Sequence, residues 1–151
     1  MFSFSLRCTL LLFFILSISS CDPLGRVVRK TVVRYPPDFE CVKETLSSLE
    51  YVDNLQYRVN TADGGRPIFH TFNYSINVDG EDRFSTLGFD IDNKIDVEVW
   101  HGLTGMAFVS PNEKYITSLR PYWEEIEKKI SEACNYKFTN MKEECTFAFC
   151  K

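Results

Sequence analysis

Between Thr71 and Val78 the chain alternates without a break: Phe72, Tyr74, Ile76 and Val78 are interleaved with Thr71, Asn73, Ser75 and Asn77. Successive side chains of a strand leave on opposite sides, so a period of two commits this segment to a β-strand with one apolar face. That face must be buried under a second layer. Asp79-Gly80-Glu81-Asp82 reads as a turn. Residues 83–91 (RFSTLGFDI) read as the returning strand, with Gly88 a candidate bulge, and Asp92-Asn93-Lys94 as a second turn. Ile95, Val97 and Val99 alternate with Asp96, Glu98 and Trp100, predicting a third strand with an acidic outer face. His101-Gly102-Leu103-Thr104-Gly105 then predicts a reversal into a fourth strand, Met106 to Ser110.

Helical spacing flanks this meander. Pro36-Pro37 ends whatever precedes it, and Asp38 is placed to cap a helix N-terminus. Val42, Leu46, Leu49, Val52 and Leu55 recur at intervals of three and four, predicting a helix over 39–59 closed off by Gly64-Gly65 and Pro67. Pro121 suits the first turn of another helix. There Trp123, Ile126, Ile130 and Ala133 share one face, Glu124, Glu125, Glu127, Lys128 and Lys129 face water, and Cys134 ends the run. The fold class predicted is α+β: one helix packed on a four-stranded antiparallel meander, plus a C-terminal helix and a disulfide-linked tail.

The cysteines constrain the compartment. Leu10 to Leu16 (LLLFFIL) follows Arg7 and precedes Ser17-Ile18-Ser19-Ser20-Cys21. A positive start, a short apolar run and small residues describe a secretory signal peptide over 1–21; a spanning helix needs ~20 apolar residues. Cleavage fits after Ser20 or after Cys21. Loss of Cys8 and Cys21 leaves Cys41, Cys134, Cys145 and Cys150, an even set that an oxidising compartment would close into two disulfides. Three pairings are open, and Cys41 is expected to reach the C-terminal region, where a long closed loop restricts the unfolded chain most. Ile18-Ser19-Ser20-Cys21 also fits a bacterial lipobox, the rival reading.

With 44% apolar and 25% charged residues the chain has a globular composition, and 151 residues argue against a multidomain machine. Residues 22–37 carry Arg26, Arg29, Lys30 and Arg34 against Asp22. They form a basic arm that reads as a pro-segment, a groove-binding tail or, from Val27, Val28, Val32, Val33 and Tyr35, a first strand. The α+β domain is predicted over 38–116, and 117–151 is a helical, cysteine-containing extension. Residues 38–151 hold twelve basic against twenty acidic side chains, so no nucleic-acid partner is expected.

The search for chemistry returns no coherent set. The chain has two histidines, His70 and His101, and no zinc-ligand spacing. Asp90, Asp92, Asp96 and Glu98 fail the EF-hand pattern, since Ile95 stands at its sixth position. His70 beside a strand start and His101 in a turn read as surface residues, though either could pair with a carboxylate for RNA cleavage. Asn73-Tyr74-Ser75 is a sequon and makes Asn73 a candidate glycosylation site. No metal, cofactor or catalytic residue is expected.

Phe39-Glu40-Cys41, a helix, Arg66-Pro67-Ile68-Phe69-His70-Thr71-Phe72, and strands carrying Gly88-Phe89-Asp90-Ile91 and Val97-Glu98-Val99-Trp100 succeed one another along the chain. In that pattern and order, residues 39–116 resemble the small secreted effectors of powdery mildew fungi that adopt a ribonuclease-like fold, themselves similar to fungal guanyl-preferring ribonucleases. The resemblance makes 38–116 a ribonuclease-like domain and implies that His70 matches the first catalytic histidine. It also implies that Gly88, ahead of Phe89-Asp90-Ile91, stands where those enzymes carry their glutamate. The strand from Ile95 to Trp100 has no arginine to match theirs, and Val109-Ser110-Pro111 occupy the place of the second histidine. The resemblance thus implies a catalytically dead scaffold with His70 as a vestige: a secreted, monomeric effector, with no membrane partner. It would bind a host protein, outside or inside host cells, to modulate plant defence. The alternatives are an active secreted ribonuclease using His70, and an extracellular ligand carrier with an enclosed apolar cavity.

Overall fold

The alternating segment forms strand β3 (Pro67–Val78), and the turn after it sets the register. Asp79 and Gly80 both adopt positive φ, 53° and 84°, as a two-residue type I′ hairpin requires, and Asn77 Oδ1 accepts the Gly80 N–H at 3.1 Å. Strand β4 (Glu81–Asp90) returns in unbroken antiparallel register from Val78↔Glu81 to Phe69↔Asp90. Gly88 is therefore not a bulge but a paired residue between Thr71 and Trp100.

These elements belong to a computed structural model, which describes residues 26–61, 67–91, 96–104 and 113–145. The predicted leader, the turn at 92–94, the strand at 106–110 and Cys150 lie outside the described residues. In chain order the remaining elements are β1 (Arg26–Arg34), α1 (Phe39–Ser47), β2 (Val52–Thr61), β5 (Asp96–Thr104), α2 (Glu113–Cys134) and β6 (Lys142–Cys145). All strands join one antiparallel sheet in the order β2-β3-β4-β5-β1-β6. Consecutive strands β2 to β5 form a meander, but its first strand falls in the segment predicted as helix, and the sheet has six strands, not four.

The arm and the tail supply the outer strands. The basic arm is β1, paired with β5 along its whole length from Arg26↔Thr104 to Arg34↔Asp96 and with β6 from Val27↔Cys145 to Lys30↔Lys142. With a partner available that far, β5 runs on through His101 and Gly102 instead of reversing there. Gly102 permits the close pairing: a Cβ at this position would lie 2.2 Å from the Val27 carbonyl oxygen.

Helix α1 starts as expected. Asp38 accepts the Glu40 and Cys41 N–H groups at 3.0 and 3.2 Å. It stops at Ser47, however, twelve residues short of the predicted end. The three-residue spacing from Val52 to Leu55 that mimicked a helix face arises from a β-bulge. Register shifts between Asp53 and Gln56, with Asn54 at φ 55°.

Helix α2 begins eight residues before Pro121, which sits inside it. An interior proline costs about 3 kcal/mol. Burial of Ile116 and Leu119 ahead of it offsets that, at about 1.5–3 kcal/mol for each such side chain. The buried stripe is Ile116, Leu119, Trp123, Ile126, Glu127 and Ile130; Ala133 is exposed and Glu127 is buried, the reverse of expectation.

Both helices cover the same sheet face, and the core draws on residues from Val27 to Tyr136, so arm, meander and tail share one interior. Cys41 and Cys134 form a disulfide, Cα–Cα 5.8 Å, that ties the first turn of α1 to the last residue of α2. Cys145 is disulfide-bonded as well. Among the described residues, no helix is long and apolar enough to cross a membrane.

Candidate functional site

His70 lies on the helix-covered face, opposite Val59 and Phe89 in the ladders. It is 7% exposed, not a surface residue. The Phe39 ring from the start of α1 stacks on the imidazole, centroids 3.8 Å apart and planes 6° off parallel. Its Nδ1 meets the Tyr57 hydroxyl at 2.6 Å. Burial lowers the His70 pKa, and burial followed by the Glu40 charge raises that of Tyr57. The pair thus favours a neutral ring accepting a phenolic proton.

His101 is also no surface residue. It is fully buried at the centre of the sheet. Its Nδ1 lies 2.9 Å from Glu127 Oε1, and its Nε2 is bonded to the Tyr74 hydroxyl. A carboxylate only accepts, so the His101 Nδ1–H donates to Glu127, while Nε2 pairs with the Tyr74 hydroxyl. Burial, then the Glu127 charge and Tyr51, raise the Tyr74 pKa well above the phenol range, keeping it a donor. Arg29 of β1 donates Nε–H to the same Glu127 oxygen at 3.1 Å and Nη1–H to Glu124 at 2.8 Å. Strands β1 and β5 thus meet α2 at one carboxylate, and β3 joins them through the Tyr74–His101 bond. Tyr74, His101 and Glu127 are buried and bonded to one another in series, while Arg29 and the exposed Glu124 close the cluster toward solvent. Sequence reading missed it because Glu127 sits in an acidic, lysine-rich run that resembles a solvated face.

The helix-free face carries different residues. Ladder partners place Asn60, Phe69, Asp90 and Glu98 in one row across the sheet, and Arg58, Thr71, Gly88, Trp100 and Lys30 in the next. Gly88 is the key to this surface. A Cβ built on it would fall 2.2, 2.3 and 2.6 Å from Cε2, Cζ2 and Nε1 of Trp100, so the indole lies against bare backbone. Phe69 lies beside it, centroids 5.7 Å apart and planes 23° off parallel. Phe69, Trp100 and Asp90 stay partly exposed and Glu98 exposed.

Asn73, of the sequon, sits mid-β3 and accepts the Thr86 hydroxyl at 3.0 Å. Lys30 is held by Glu98 at 3.2 Å and Glu144 at 3.3 Å, and Arg29 by Glu124 and Glu127. These two cations of the arm are thereby spent on carboxylates within the fold. A surface cleft of about 350 Å³ opens where β6 meets β1, lined by Lys30, Val32, Glu98, Lys142 and Glu144 among others; its lining is mostly charged. Among the described residues, no group of three or more His, Cys, Asp or Glu is arranged to hold a metal ion.

No family model matches the chain, and no curated protein or solved structure matches it.

Proposed function

We propose that this protein is an exported, non-catalytic binding protein on a ribonuclease-like scaffold, acting as an effector on a host protein in plant defence. The observation that carries the reading is the pairing of Gly88 with Trp100. Gly88 stands where the resemblance puts the catalytic glutamate, and the indole resting on it leaves no room for any Cβ. A glutamate at this position would require the Trp100 ring to leave its present place.

Two further observations support the reading. His70, the proposed counterpart of the first catalytic histidine, is stacked under Phe39 and bonded to Tyr57. An acid or base needs a proton within reach of substrate, and these contacts hold the ring on the covered face instead. The proposed lineage calls for a helix packed on an antiparallel meander, and the sheet contains one, β2 to β5, within its six strands, with helices on one face. The carrier alternative calls for an enclosed apolar cavity, whereas the cleft is a charged surface feature.

The test uses the oxidised chain without its first 21 residues. Incubated with single-stranded RNA, it is expected to leave the RNA intact, and its effect on defence output in leaf tissue is expected to survive His70→Ala. RNA cleavage that disappears in His70→Ala would overturn the proposal, as would loss of the tissue response in that variant when its circular dichroism is unchanged.

A further inference from the structure

From the helix-free face we infer that the Phe69–Trp100 surface, with Asp90 and Glu98 at its rim, takes a cationic side chain of a protein partner, a lysine or arginine in a basic segment. The inference rests on the binding-protein reading and names the surface that does the binding.

Charge and ring geometry select the occupant. The face of an indole carries negative quadrupole density and attracts an ammonium or guanidinium group laid over it. Trp100 has one face set against Gly88 and Phe69 extending the aromatic surface beside it. Asp90 and Glu98 are direct ladder partners, Asp90↔Glu98, on the same side of the sheet. Directly opposed like charges destabilise a sheet, and a cation between them removes that repulsion. Glu98 is partly committed to Lys30 at 3.2 Å, while no hydrogen bond or ion pair ties Asp90 among the described residues. The occupant therefore meets one unengaged carboxylate, one half-engaged carboxylate and a π-surface. An anionic ligand would face the same two carboxylates, and Lys30, the ladder partner of Trp100, is already engaged by Glu98 and Glu144. The twenty acidic against twelve basic residues of 38–151 add a long-range field of the sign that draws a basic segment in.

The site also accounts for Gly88 in a way the interior does not. Glycine in a strand forfeits side-chain packing. Here it lets a large ring lie against the sheet backbone while part of the ring stays exposed.

The probes are hexa-arginine and hexa-glutamate peptides, titrated calorimetrically into the oxidised chain lacking residues 1–21. Hexa-arginine is expected to bind and hexa-glutamate not. Asp90→Asn and Trp100→Ala are each expected to weaken hexa-arginine binding about tenfold, the scale of one desolvated cation–π or charge contact. Glu132→Gln, an exposed charge on α2, is expected to leave it within about twofold, as single surface charges do. Asp90→Asn keeps the inference testable should Trp100→Ala fold poorly. Equal affinity in wild type and Asp90→Asn would overturn it, as would equal weakening by Glu132→Gln, which would mark binding by net charge alone. Either failure leaves the non-catalytic reading standing, since that reading falls only on the RNA and tissue assays.

Discussion

Replacing Glu127 with alanine tests whether one buried carboxylate holds α2 to the sheet. Its Oε1 accepts from His101 at 2.9 Å and from Arg29 at 3.1 Å. Removal leaves the fully buried His101 Nδ1–H without a partner, at a cost of about 1–3 kcal/mol. Breaking a buried charge pair outright costs about 3–5 kcal/mol, but the Arg29 side chain is 18% exposed and keeps Glu124 at 2.8 Å, so its share is the smaller. Together these give about 3 kcal/mol. For a domain of this size that corresponds to a fall in Tm of about 10 °C. The assay is urea unfolding of the oxidised protein at neutral pH, with the midpoint shifting and the slope held. Glu124→Ala is the contrast: that side chain is 61% exposed, and its loss should cost about 0.5 kcal/mol or less. If Glu127→Ala costs no more than Glu124→Ala, the carboxylate is solvated in solution and the argument for a buried anchor fails.

Gly88→Ala should displace the Trp100 indole and cost about 1–3 kcal/mol, as overpacked sites do, visible as a change in near-UV circular dichroism; an unchanged spectrum would show the ring does not rest there. Cys41→Ser with Cys134→Ser opens a bond closing 93 residues, and should cost about 4–5 kcal/mol by chain entropy, read in the same urea titration; a loss under about 1 kcal/mol would contradict this. Burial lowers the His70 pKa, so the unfolded chain takes up its proton first as pH falls. The fold then loses stability from about pH 6.5, the ordinary histidine value, down to the lowered one. His70→Phe should flatten that part of the profile, and an identical slope in both proteins would remove His70 as its source. Tyr51, pushed up to about 12 by burial, then Glu125 and Tyr122, should not contribute to phenolate absorbance at pH 10–11 until the protein unfolds.

Much of the sheet was legible because period-two alternation is local. Phe72 to Val78, the Asp79-Gly80 turn and the returning strand are visible without knowing what lies above them, whereas the valines of 27–33 make a strand one of three readings of the arm. The Cys41 link to the C-terminal region was legible from loop length, and the Asp38 cap from its place after two prolines. The errors came where a distant partner decides the outcome. Val52 and Leu55 have helical spacing only because a bulge separates them, and the bulge is defined by its pairing with β3. His101-Gly102 has turn composition, but β1 from the other end of the chain extends the strand through it. Pro121 looked like a helix start because sequence does not report that Ile116 and Leu119 find a core ahead of it. The buried cluster was illegible for the same reason: Arg29, Tyr74, His101 and Glu127 come from four separate segments. At the candidate site Gly88 was noticed, but its reason, the Trp100 ring across the ladder, lies in a register that only the assembled sheet defines.

The position of β1 between β5 and β6 also dictates when assembly can finish. The strand is synthesised ahead of both its neighbours, and its valines have nothing to pair with until residues 96–104 and then 142–145 have been delivered. Closure must therefore await synthesis of nearly the whole polypeptide. A protease cutting afterwards between Arg34 and Phe39 would not liberate the segment, because two rows of backbone bonds would retain it as a nicked but intact body. A chain begun at residue 38 would instead present β5 as a raw border and leave β6 with nowhere to attach.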